Sequence, residues 1–91
     1  MNLTKFSRTA KFERDYKAAM EKKVNHAEDF GRIIRGRRKE LGYTQKYIAD
    51  FTGFSVSFIS DLERGKPTAE LEKAIQLANI LGLDVALSRR E

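Results

Sequence analysis

Between Thr44 and Gly65 the chain reads TQKYIADFTGFSVSFISDLERG, two short helical patterns held apart by a glycine at Gly53. Thr44 stands immediately before the first pattern and can cap it with its hydroxyl. Tyr47, Ile48 and Phe51 are that segment's inward candidates, and Ala49 allows close approach. Gly53 permits a backbone reversal, Phe54 can anchor the turn in the core, and Ser55 suits the N-cap of the next helix. Ile59 and Leu62 bury that helix, and Arg64-Gly65-Lys66-Pro67 ends it with helix breakers. A supporting helix, a tight turn and a second helix with a small polar outer face make a device for reading the major groove of DNA.

The flanking sequence supplies the rest of a bundle. Phe12, Tyr16, Ala19, Met20 and Val24 follow helical spacing, predicting a short amphipathic helix ahead of the motif. Asn25 or a neighbour starts the next helix, in which Phe30, Ile33, Ile34, Arg37 and Leu41 mark one face up to a stop at Gly42. Thr68 is expected to cap a last helix with Glu70 and Glu72 at its positive end and Leu71, Ile75, Ala78 and Leu81 at core spacing, closed by Gly82. Leu83 to Ser88 then alternates apolar with small or polar residues, the period of a half-buried strand. One strand forms no sheet, so Leu83, Val85 and Leu87 are expected to pair with the same strand of a second copy in a homodimer. The expected fold is all-α: a compact helix-turn-helix bundle of four core helices plus an N-terminal helix, with a C-terminal β-strand pairing across a dimer. Residues 1–27 read as a basic, partly helical extension, 28–82 as the helix-turn-helix DNA-binding domain, and 83–91 as dimerisation strand and tail.

Ninety-one residues support one modest core. Without cysteine there are no disulfides, thiolate zinc sites, iron–sulfur ligands or cysteine nucleophiles. Apolar runs are short and no hydrophobic stretch follows Lys5, Arg8, Lys11 and Arg14, so a soluble, cytoplasmic protein with neither membrane span nor signal peptide is expected. The net charge of +5 is unevenly placed: residues 1–40 hold 12 basic and 6 acidic side chains, and residues 41–91 hold 6 and 7. A phosphate-facing N-terminal half would produce such a split.

On the second helix of the motif, Val56, Ser57, Ser60 and Asp61 fall toward the outer face. Val56 can meet a thymine methyl, the serines can bond base edges or phosphates, and Asp61 can accept from cytosine N4. Its first two turns carry no Arg, Gln or Asn, so the strongest bidentate base contacts are missing from its centre. Gln45, first after the Thr44 cap, can bind a phosphate or brace another side chain, while Lys46, Arg64 and Lys66 can grip the backbone. The bland alternatives are solvated polar positions and ordinary surface charges. Arg38 and Glu63 occupy faces otherwise committed to packing and are expected to form a bidentate structural ion pair.

Enzymatic residues are not in evidence. His26 is the single histidine, with no HExxH pattern or cysteine beside it, and reads as a helix-boundary or surface residue. The carboxylates form no convincing acid–base pair, the glycines no P-loop, and the serines lack a histidine–carboxylate constellation. No enzyme activity, cofactor or metal is expected.

From Phe30 to Leu87 the chain resembles the Cro/C1-type, or XRE-type, helix-turn-helix family. The match is strongest at Thr44-Gln45, Ile48-Ala49, Gly53, Ser55, Ile59-Ser60 and Leu62-Glu63-Arg64-Gly65. The resemblance implies a bundle of about five helices that binds a double-stranded operator as a dimer and represses transcription. It also implies Gln45 as a backbone-contacting and bracing residue, Val56, Ser57, Ser60 and Asp61 as groove-facing, and Arg38 paired with Glu63. The stretch GKPTAELEKAIQLANILGLDVAL is similar to the tail of HipB-type antitoxins, which implies a HipA-type serine/threonine kinase toxin as partner and shared autorepression. A regulator without a toxin partner, and an interaction module that keeps the scaffold, are the alternatives. Residues 1–27 depart from the minimal pattern and could contact DNA, the dimer partner or the toxin.

Overall fold

The computed structural model describes residues 21–90, in which four helices run in the order α1 (Ala27–Glu40), α2 (Gln45–Thr52), α3 (Val56–Glu63) and α4 (Leu71–Ile80). Most of the expected helix from Phe12 to Val24 lies outside the described residues; residues 21–24 are exposed and not helical.

Helix α1 begins where Asp29 reaches back, its Oδ2 accepting from the backbone N–H of Asn25 at 3.0 Å and of His26 at 3.2 Å. His26 is the N-cap residue, a helix-boundary position. Glu28 and Asp29 in the first turn and Arg37, Arg38 and Lys39 in the last oppose the helix dipole favourably. In α2 and α3, the Thr44 and Ser55 hydroxyls accept from the N–H of Tyr47 and Phe58, both at 3.0 Å. Between these helices Gly53 takes φ 82°, a conformation that a side chain would strain. Thr52 fastens the same turn: its hydroxyl donates to the Ile48 carbonyl at 2.7 Å and accepts from Phe54 N–H at 3.0 Å.

Ile34, Ile48, Ile59, Leu62, Leu77 and Leu81 fill the core, with Ala49, Ala74 and Ala78 among them and Phe30, Phe54, Phe58 and Leu83 against its edge. Helices of two turns are marginal alone, so α2 and α3 persist because each docks an apolar stripe here. Gly31 brings α1 against the end of α3, where a Cβ would overlap the Leu62 carbonyl oxygen and come within 2.8 Å of that of Glu63.

Several expected positions differ. Tyr47 and Phe51 do not point inward; they are 52% and 70% exposed. An eight-residue helix has room for a narrow stripe, and Ile48 and Ala49 occupy it, which turns residues 47 and 51 outward. There Tyr47 stacks on Tyr43 with ring centroids 4.9 Å apart, and Phe51 on Tyr47 at 6.5 Å. Leu41 sits at the exposed edge of α1 instead of in the core. Thr68 is not the cap of α4, because the turn after α3 extends through it and Glu70 takes the N-cap position. That later start leaves Leu71 in the first turn, 72% exposed, while Ala74, Leu77 and Ala78 carry the packing.

Beyond α4, Leu83 N–H returns to the Ala78 carbonyl at 2.9 Å and its side chain lies against the core of its own chain. Residues 83–90 carry no regular secondary structure in the single chain. The strand expected from Leu83 to Ser88 is therefore not formed, since a single extended segment has no ladder to donate into within these described residues. Among the described residues no helix is long and apolar enough to cross a membrane.

Candidate nucleic-acid interface

Helix α3 is anchored from one side only. Ile59, Leu62 and Glu63 are buried, and Phe58 rests edge-on against Phe54 at 5.4 Å between centroids. What remains outward is Val56, Ser57 and Arg64, with Ser60 and Asp61 half-covered beside them. These five fall at i, i+1, i+4, i+5 and i+8 on one continuous face, of which the four within the helix are small or short and Arg64, at its C-cap, is long. A small face of this kind lets a helix backbone approach the floor of a groove.

The orientation of that face is fixed by a polar cluster at the other end of the helix. The Arg38 guanidinium donates from Nε to Glu63 Oε2 at 2.7 Å and from Nη2 to Oε1 at 2.9 Å, and from Nη1 to the Tyr43 carbonyl at 2.8 Å. The Gln45 amide donates from Nε2 to Glu63 Oε1 at 3.1 Å. Three segments therefore meet at one carboxylate: α1 through Arg38, the start of α2 through Gln45, and the end of α3. Hydrogen bonding to Glu63 raises the Arg38 pKa above its ordinary value, against the opposing effect of burial. The guanidinium thus stays charged throughout.

Gln45 is half-buried, and its amide braces Glu63 in this structure. The Thr44 hydroxyl takes the N–H of the third residue of α2, so the N–H groups of Gln45 and Lys46 stay available at the helix start for an outside acceptor. Lys46 is exposed and pairs with Asp50 at 3.0 Å.

Asp61 does not stand alone on the outer face of α3. Arg64 Nη2 donates to its Oδ1 at 2.9 Å, and Lys66 Nζ lies 3.6 Å from its Oδ2. The hydrogen bond from Arg64 holds the Asp61 carboxyl below the usual carboxylate range, with the Lys66 charge assisting. The sequence suggests separate roles for these three residues, whereas one carboxylate pairs with both cations. The i,i+3 spacing of Asp61 and Arg64 was the available signal. One further feature had none, Arg37 Nε donating to the Leu81 carbonyl at 2.8 Å, which ties α1 to the end of α4; the outward stack of Tyr43, Tyr47 and Phe51 had its i,i+4 spacing.

Of the expected dimer contacts, Leu83 faces its own core, Val85 is 45% exposed and Leu87 fully exposed.

The family model described as Helix-turn-helix matches residues 34–87. The HTH-type transcriptional regulator y4mF of Sinorhizobium fredii is 38% identical over 66 residues, covering 72% of this chain and 87% of that protein. The HTH-type transcriptional regulator YazB of Bacillus subtilis is 41% identical over 63 residues, covering 66% of this chain and 91% of its own length. Among solved structures, the complex titled HipB-O4 20mer superposes with a TM-score of 0.70 at 20% identity, covering 78% of this chain and all of that one.

Proposed function

The chain belongs to the helix-turn-helix family, and from that premise we propose that it is a sequence-specific DNA-binding transcriptional repressor acting as a dimer on an inverted-repeat operator. The observation that carries this reading is the small, polar outer face of α3, held at a fixed angle to the start of α2 by the Arg38–Glu63–Gln45 cluster. In this account Val56, Ser57, Ser60 and Asp61 enter the major groove, while Gln45, Lys46, Arg64 and Lys66 hold the sugar–phosphate backbone. Two such helices in a dimer stand roughly 34 Å apart, one turn of DNA. The centre of the face lacks long bidentate side chains, so part of the specificity comes from DNA shape and half-site spacing.

The finer reading is an antitoxin that also binds a HipA-type kinase toxin and represses its own operon. Its support is the fold shared with HipB over the whole length of that chain and the resemblance of Gly65 to Leu87 to HipB-type tails. A regulator without a toxin partner is the second reading, favoured by relatives that are named as transcriptional regulators alone.

Binding of the purified protein to duplex DNA from upstream of its own reading frame, at low and moderate salt, tests the first level. Replacing Ser57 and Ser60 with Glu should abolish that binding without altering the helical content. An unchanged affinity would remove α3 from the groove. Co-expression with the adjacent gene product and purification of a complex separates antitoxin from lone regulator.

A further inference from the structure

Around the reading face the cations are already shared with carboxylates. Lys46 is paired with Asp50, and Arg64 and Lys66 both with Asp61. Glu63 is likewise taken up by Arg38. An approaching phosphate therefore meets cations whose charge is largely balanced within the motif, although phosphate attraction supplies much of the affinity of any DNA-binding protein.

Helix α1 is different. Arg35 and Lys39 are exposed, stand four residues apart on one helix face, and make no ion pair among the described residues. Their position follows from what α1 touches. Gly31, one turn before Arg35, lies against the Leu62 and Glu63 carbonyls at the end of α3. Glu28, one turn earlier again, lies against Gly65, where a Cβ would come within 2.7 Å of its Cγ. Residues 28, 31, 35 and 39 run along one side of the helix, so the two cations continue a row that starts at the end of α3. Arg38, next to Lys39 and one turn beyond Arg35, reaches the Tyr43 carbonyl and Glu63, where Gln45 also arrives. Arg35 and Lys39 thus flank the junction of α1 with the start of α2 and the end of α3.

We propose that Arg35 and Lys39 form a phosphate clamp, gripping the backbone of duplex DNA outside the base pairs that α3 meets. The clamp rests on the DNA-binding reading above and adds a site to it. Arg35 offers a fork of donors that suits phosphate oxygens, and Lys39 a mobile point charge one turn away. Such contacts set affinity and register and leave base preference to α3.

The test measures Kd of the full chain against salt concentration, using its own upstream DNA and a scrambled duplex, for the wild type, the double variant Arg35→Gln with Lys39→Gln, and Lys46→Gln. Loss of the clamp should make the log Kd against log salt slope shallower by about 0.9 for each phosphate contact removed, hence about 2 per protomer. Affinity should fall by the same factor on both duplexes, leaving their ratio unchanged. Lys46→Gln removes one backbone contact proposed above, from a cation shared with Asp50, and should flatten the slope by no more than about 0.9. Urea midpoints guard against a folding artefact, and both exposed substitutions should preserve them. A double variant with the wild-type slope overturns the clamp while leaving the DNA-binding reading intact. A wild type that binds neither duplex overturns both.

Discussion

Arg38 and Glu63, 25 positions apart, are joined by two parallel hydrogen bonds of 2.7 and 2.9 Å, and each residue is only 8% exposed. A charge pair removed from water this far is held by geometry, with Gln45 and the Tyr43 carbonyl completing its hydrogen bonds. Arg38→Ala leaves the Glu63 carboxylate stranded and should cost about 3–5 kcal/mol. Arg38→Met combined with Glu63→Leu removes both charges and should recover much of that loss. Urea unfolding of the three proteins checks the order. A single variant as stable as the double would mean that the carboxylate finds water or another partner.

Two glycines of α1 predict opposite signs. At Gly31 a methyl group would collide with backbone carbonyls that end α3, and backbone cannot rotate away as a side chain can. Gly31→Ala should destabilise by about 1–3 kcal/mol through overpacking. Gly36 is exposed inside the same helix with nothing within 4 Å of the added atom. Gly36→Ala should stabilise by about 0.5–1 kcal/mol, since alanine is the better helix residue. Thermal denaturation of both variants reads the two signs directly.

Legibility in the sequence followed the range of the interactions. Thr44, Ser55, Gly42, Gly53 and Gly82 were readable because a cap or a left-handed turn acts on its immediate neighbours. Ile34, Ile48, Ile59 and Leu62 were readable from their periodicity. Tyr47, Phe51 and Leu71 were misplaced because hydrophobicity marks what can be buried, while the width of the available stripe decides what is. The start of α4 was missed for a related reason: Thr68 is a good cap chemically, but the turn running through it sets Glu70 at the boundary. On the interface, the outer positions of α3 could be listed by spacing. The capture of Arg64 and Lys66 by one carboxylate could not be weighed before the turn after α3 was known.

The two hydroxyl caps should be separable from packing. Thr44→Ala and Ser55→Ala each remove one acceptor from a helix N–H and leave the core untouched. Each should cost about 1 kcal/mol, within the range of about 0.5–2 for such caps. Ile59→Ala, at a fully buried position, should cost about 2–5 kcal/mol. Denaturant midpoints that ranked a cap variant below the Ile59 variant would contradict this division.

Acid should loosen two local structures. Asp29 has its pKa lowered chiefly by the hydrogen bond from Asn25 N–H, and Asp61 chiefly by that from Arg64. A carboxyl with a folded pKa below its unfolded value adds stability that is full above the unfolded pKa, about 3.9 for Asp. That contribution disappears as pH falls from there through the folded pKa. Carboxyl NMR titration should therefore give both groups midpoints below that value. In Asp29→Asn the stability curve should be flatter below pH about 4, because this proton linkage is gone.

The exposed end of the chain carries the last expectation. Val85 is half-exposed and Leu87 wholly so, in a segment whose backbone N–H groups make no ladder among the described residues. Pairing with the same segment of a second copy would satisfy those donors and cover the apolar side chains together. Leu83 would stay with its own core and set where the strand leaves the bundle. Truncation after Leu83 should then convert a dimer to a monomer in light scattering while leaving the helical signal intact. It should also weaken operator binding, because two half-sites would no longer be engaged together. A truncated chain that keeps the full-length protein's dimeric mass would move the interface to another face, the outward stack of Tyr43, Tyr47 and Phe51 being the first to examine.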